Sequence, residues 1–168
     1  FSRGRPLSPE ATNVESVLNE VIEMAGATIP SSVHIERSVA TGLPDVVANP
    51  VQLHQVLLNL IINARDAMEG KGAITIRVAR GDQSAICHSC HEPFVGDYVE
   101  ISVCDSAGNM SGDILERAFD PFFTTKAVGR GTGMGLSMVH GILHEWGGHI
   151  SVSLSPGKAT TFNLYIPV

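Results

Sequence analysis

The run from Pro50 to Met68, PVQLHQVLLNLIINARDAM, most constrains what this chain can become, because it reads as a helix with almost no wet side. Asn49 supplies a cap and Pro50 suits the first turn, where a missing N–H costs nothing. At about 100° per residue, Gln52, Gln55, Asn59, Asn63 and Asp66 fall within roughly 40° of one line. Leu58 and Ile62 flank that line on one side, and Val56, Leu60 and Ala67 on the other. An ordinary amphipathic helix has a broad polar face turned to solvent. This stripe is too narrow for that, and carboxamides between apolar walls suit a buried ligand or a hydrated metal. The helix must therefore be covered on most sides, with one line of amides held open for something polar.

A second segment, Phe119 to Leu136 (FDPFFTTKAVGRGTGMGL), sets aromatic anchors at Phe119 and Phe122 and a cation at Lys126 ahead of Gly129, Gly131, Gly133 and Gly135. Glycines let a backbone come close to a ligand, and the helix that follows offers unpaired N–H groups to an anion. That is phosphate-cradle chemistry, although isolated glycine-rich turns are often only structural. A third segment, DYVEISVC from Asp97 to Cys104, alternates Tyr98, Glu100 and Ser102 with Val99, Ile101 and Val103, as a half-buried strand does. It runs into Asp105, which reads either as a fixed acceptor at a pocket mouth or as a turn-initiating residue.

In this order the segments resemble the N, G1, F and G2 boxes of the ATP-binding catalytic domain of sensor histidine kinases. The N box would be NLIINARDAM from Asn59, the G1 box DSAGNM from Asp105, the F box FDPFF from Phe119, and the G2 box GTGMGL from Gly131. NARDAM and FFTTK look most like the nitrogen-regulator type, and the resemblance covers nearly the whole chain. It implies a Bergerat ATP-binding fold, an α/β two-layer sandwich of a mixed five-stranded sheet with helices on one face. Residues 1–12, opening FSRGRPLSPE, resemble a linker from a dimerisation and phosphoacceptor domain; residues 13–168 would be the catalytic domain, with a lid at about 119–133.

The resemblance implies a job for each matching residue. Asn63 would hold Mg²⁺ through its amide oxygen, with Asn59 one turn away supporting the ion or its waters. Asp105 would accept from the exocyclic amine of adenine, and Met110 would line the same pocket. Lys126 and the backbone around Gly131, Thr132, Gly133, Gly135 and Leu136 would meet the phosphates, and Phe119 and Phe122 would anchor the lid. Asn59, Asn63 and Lys126 form the expected catalytic set, while Gln55 and Asp66 are expected to be solvated or supporting. The implied activity is transfer of the γ-phosphoryl of Mg-ATP to a histidine on the dimerisation domain, and from there to a response-regulator receiver domain.

Two other classes stay open. Hydrolytic members of the same superfamily, of the gyrase, heat-shock-chaperone and mismatch-repair kinds, use a Glu one turn before the metal-binding Asn. Here that place is Asn59, whose amide cannot take a proton from water, which favours transfer over hydrolysis. The other is a nucleotide-binding or regulatory module: Ala107 and Asn109 stand where the G1 pattern has glycine, and such a change predicts weaker ATP binding.

Composition fits this picture. A chain of 168 residues, 43% hydrophobic, suits one globular domain, and a formal charge of −6 argues against a nucleic-acid surface. No apolar run approaches the roughly 20 residues of a membrane span, so a cytoplasmic domain without direct membrane contact is expected, the parent protein being free to be anchored. With Phe1 in first place, an excised or processed piece is expected. The acceptor histidine is expected outside the chain: of the seven histidines His91 and His144 are followed by an acid, and His144 sits near a helix end. His140 and His144, one turn apart, have the spacing of a metal pair in principle, and surface or packing roles are the favoured reading. CHSCH, from Cys87 to His91, has the spacing of a haem-attachment motif, of a redox pair, or of one zinc knuckle with Cys87, Cys90 and His91 as ligands; its plain reading is a polar hairpin tip.

The periodicity predicts helices at about Asn13–Ala27, opened by a Thr12/Glu15 capping box, at 50–68, at Ser111–Ala118, and at Met134–Trp146 ending at Gly147-Gly148. It predicts strands at Val33–Val39, Ala73–Arg80, Asp97–Cys104, His149–Leu154 and Thr160–Ile166.

Overall fold

The computed structural model describes residues 8–29, 31–68, 71–87, 92–106, 135–155 and 159–168. Along the chain these form β1 (Glu10–Thr12), α1 (Val14–Gly26), β2 (Val33–Val39), β3 (Val46–Ala48), α2 (Pro50–Ala67), β4 (Gly72–Ile86), β5 (Pro93–Asp105), α3 (Gly135–Glu145), β6 (His149–Ser155) and β7 (Ala159–Pro167). The expected helix at 111–118 and the lid at 119–133 lie outside the described residues.

Five strands make a mixed sheet in the order β2-β4-β5-β7-β6, with β2 parallel to β4 and the other pairs antiparallel. The alternation seen in the sequence sets its faces. Ile74, Ile76 and Val78 of β4, Val99, Ile101 and Val103 of β5, and Leu164 and Ile166 of β7 are all buried beneath the helices. α2 packs on β4 and β5 and against both α1 and α3, which explains a helix apolar almost all round: Leu53, Val56, Leu57, Leu60, Ile61 and Ala64 are buried. Each of these Leu, Val and Ile side chains removed from water contributes about 1.5–3 kcal/mol. The sheet's opposite face is polar and internally bonded. Asn163 accepts from Ser102 Oγ at 2.8 Å and donates to Ser151 Oγ at 3.3 Å, which in turn meets the Tyr165 hydroxyl at 3.0 Å.

Three features depart from the expectations. The β4–β5 hairpin is far longer than Ala73–Arg80 and Asp97–Cys104: pairing runs to Ile86↔Pro93, whereas β5 leaves β7 at Tyr98↔Pro167. The extra length is a two-stranded arm, whose mixed composition hid the alternation. Second, β1 and β3 form a small separate antiparallel sheet, each too short at three residues to show a period. Third, α1 is capped by Asn13, whose Oδ1 accepts from the Ser16 N–H at 2.8 Å. Thr12 does not cap it, because its hydroxyl donates to the Ala48 carbonyl at 2.7 Å within the small sheet.

Candidate functional site

Asn49 starts α2 as the sequence predicts, accepting from the N–H groups of Val51 and Gln52 at 3.0 and 3.1 Å, with Pro50 in the first turn. With the helix phase fixed by its buried side, the carboxamide stripe faces away from the core. Gln52, Asn59 and Asn63 are half-buried along it, while Gln55 and Asp66 are exposed, Asp66 held by Arg65 at 2.9 Å. Asn59 Nδ2 and Gln52 Oε1 are both buried without a hydrogen-bond partner among the described residues. Orphaned buried polar atoms are uncommon because each costs about 1–3 kcal/mol, and they mark places where an ion, water or ligand belongs.

Asp105 ends β5 at 5% exposure. Its cross-strand partners are Ile74 and Thr160, and Thr160, itself buried, has a hydroxyl with no partner among the described residues. Thr160 escaped the sequence reading; the only signal was its phase in the alternation of β7. A tight junction holds this corner together. Ser106 Oγ accepts from the Ala73 N–H at 3.1 Å and lies 3.5 Å from Met68 Sδ, tying the ends of α2 and β5 to the start of β4. Gly72 makes that possible, for it has φ +139° and a Cβ there would lie 2.5 Å from Ser106 Oγ.

α3 begins at Gly135, and Leu136 packs half-buried against the core. α2, which carries the amide stripe, contacts both β5, which ends at Asp105, and α3. The other expected site residues, Met110, Phe119, Phe122, Lys126, Gly131, Thr132 and Gly133, lie outside the described residues, as do Ala107 and Asn109. What is described suits Mg-ATP: amide oxygens are hard ligands, the Asn59 donor can satisfy a phosphate oxygen or a metal-bound water, and a buried carboxylate offers a fixed acceptor.

Residues 48–168 match the family described as histidine kinase-, DNA gyrase B-, and HSP90-like ATPase. The chain belongs to this family. Within the ATPase family it resembles sensor kinases. It is 38% identical over 99% of its length to the sensor kinase CckA of Brucella abortus (strain 2308), and 33% identical over 99% to the sensory histidine kinase/phosphatase NtrB of Rhizobium leguminosarum bv. phaseoli. The chain spans 18% of the length of CckA and 43% of that of NtrB. Full-length ShkA, crystallised in complex with AMPPNP, superposes at a TM-score of 0.75 with 26% identity, over 97% of this chain and 32% of that one. These likenesses agree with the expected fold and family.

Of the CHSCH run only Cys87 is among the described residues. It follows β4, is buried, and its Sγ is 3.6 Å from His144 Nε2. Its neighbours are therefore histidines of α3 and β6; Cys90 and His91 lie outside the described residues. His140 and His144 do pack together, ring centroids 4.2 Å apart, and burial beside His144 holds the His140 pKa below its usual range. His149, which the sequence reading left aside, stacks on Phe94 at 4.4 Å.

Proposed function

We propose that this chain is the ATP-binding catalytic domain of a sensor histidine kinase, which binds Mg-ATP and passes its γ-phosphoryl group to a histidine on a dimerisation domain. The observation that carries the reading is the α2 stripe: Asn59, with its orphaned buried amide, stands one turn before Asn63. A carboxylate at that place could deprotonate water; an amide cannot, so transfer is favoured over hydrolysis. Asn63 would hold Mg²⁺ and Asn59 would support it, the ion supplying charge neutralisation on the phosphate oxygens. Asp105 would accept from adenine, and Lys126 with the backbone of Gly131 to Leu136 would meet the phosphates. In the transfer the bond from γ-phosphorus to the ADP oxygen breaks and a bond to the acceptor imidazole nitrogen forms. The domain contributes positioning and electrostatics and forms no covalent intermediate of its own.

The partners on this reading are the dimerisation domain of the parent protein and a response-regulator receiver domain, and the setting is cytoplasmic. No helix among the described residues is long and apolar enough to cross a membrane. The second reading, a nucleotide-binding or regulatory module, rests on Ala107 and Asn109 in the G1 box. Calorimetric titration with ATP, with and without Mg²⁺, tests both. Binding that Mg²⁺ strengthens is expected, and Ala107→Gly with Asn109→Gly is expected to tighten it. Binding without any Mg²⁺ effect favours the module, and no binding by either form defeats the proposal.

A further inference from the structure

Beyond the nucleotide region, three metal-binding side chains from three elements converge. Cys87 follows β4, His144 lies in the last turn of α3 and His149 opens β6; one ligand atom from each lies within 4.8 Å of the others. We propose that Cys87, His144 and His149 bind a divalent transition-metal ion, Zn²⁺ foremost, which pins the β4–β5 arm to the start of β6.

Geometry supports it first. With Zn–S near 2.3 Å and Zn–N near 2.0–2.1 Å, a tetrahedral ion sets its sulfur and nitrogen ligands about 3.6 Å apart. Cys87 Sγ and His144 Nε2 are 3.6 Å apart. The surrounding contacts hold the ligands in place. The Cys87 N–H donates to the Glu92 carbonyl at 2.9 Å, and the Gly148 N–H donates to the Leu143 carbonyl at 2.8 Å, fixing the turn between the two histidines. Phe94 stacks on the His149 ring, and His149 Nδ1 is buried with no hydrogen-bond partner among the described residues. Cys87 is buried while both histidines are half-exposed, which leaves an entry path.

One thiolate and two imidazoles select zinc or cobalt over magnesium. On binding, the Cys87 thiol releases its proton to solvent and the imidazoles donate as neutral ligands. The site has structural work to do, because among the described residues the arm beyond Tyr98 pairs only with itself, and an isolated two-stranded ribbon is marginal. It also stands apart from Asp105: His149 pairs with Tyr165 and Tyr165 with Glu100, five residues before Asp105 on β5, which is about 17 Å of strand.

The test uses the untagged chain, stripped with a chelator and titrated with Co²⁺. Stoichiometric uptake with a thiolate-to-cobalt charge-transfer band is expected, with displacement by Zn²⁺ and a higher Tm with Zn²⁺ but not with Mg²⁺. Cys87→Ser should abolish the band, His144→Gln and His149→Gln should each weaken uptake at least about tenfold, and Cys104→Ser should change nothing. ATP affinity, measured on the same variants, should stay within about twofold of wild type. A stripped wild-type chain that takes up neither ion overturns the proposal. So does uptake that survives the double histidine variant and vanishes with Cys90→Ser and His91→Ala, which would put the ion in the CHSCH run alone.

Discussion

On the proposed function Asn63 would hold the metal and Asp105 the adenine, and substitution should separate them. Asp105→Ala removes a charged acceptor, worth about 1.5–3 kcal/mol, so ATP should bind roughly 10- to 150-fold more weakly by calorimetry. Asn63→Ala should leave more of the binding but lower Mg²⁺-dependent transfer by roughly a hundredfold. Equal effects on both readouts would show that these roles are not divided. Tyr165 makes a pH prediction. Burial raises its pKa, opposed in part by the Ser151 hydrogen bond. A group with a raised folded pKa contributes stability that is intact below its unfolded value, about 10, and is lost as pH rises through the folded one. Denaturant melts above pH ~10 should thus show falling stability, and Tyr165→Phe should flatten that slope; an unchanged slope would remove Tyr165 as the cause. Asn59, Asn63 and Asp105 were legible because each breaks an apolar pattern. Thr160 and Gly72 were not: their roles come from contacts across 55 and 34 residues of sequence, to Asp105 and Ser106.

At the scale of elements, the chain declares its helices better than its hairpin. α2 shows its cap, its proline and its period in sequence, and all three appear in the structure. α3 ends where Gly147-Gly148 predicts: Gly147 takes φ +79°, and a Cβ on Gly148 would sit 2.5 Å from the Tyr165 carbonyl oxygen. That oxygen is backbone in β7 and cannot swing away. Gly148→Ala should therefore cost about 1–3 kcal/mol, a fall of roughly 3–10 °C in Tm by calorimetry; an unchanged Tm would mean that β6 and β7 can part there at little cost. The arm was read too short because Gly81, Asp82, Gln83 and Gly96 interrupt the alternation. Pairing across the hairpin holds it instead, with an ion pair from Arg80 to Asp97, Nε to Oδ1 at 3.0 Å. The capping of α1 was misplaced by one residue for a similar reason, since the bond that occupies Thr12 comes from Ala48, 36 positions away.

For the molecule as a whole, the β4–β5 hairpin carries the two proposed sites toward opposite ends: Asp105 pairs with Ile74 at one, and Cys87 follows Ile86 at the other. The order of the boxes disclosed the first end and the fold with it, because each box carries its own residue signature. The second end stayed hidden: CHSCH suggested ligands within itself, and nothing local says that β4 ends beside α3 and β6. The proposed phosphoryl transfer goes to a histidine on the dimerisation domain, outside this chain. It is tested most directly by incubating the chain with Mg²⁺ and γ-labelled ATP, alone and with the dimerisation domain of the parent protein in trans. Acid-labile label should appear on the dimerisation domain only when both are present, more weakly than in the tethered protein because the effective concentration is lost. Robust acid-labile label on the isolated chain, or none on the partner despite ATP binding, would contradict the account.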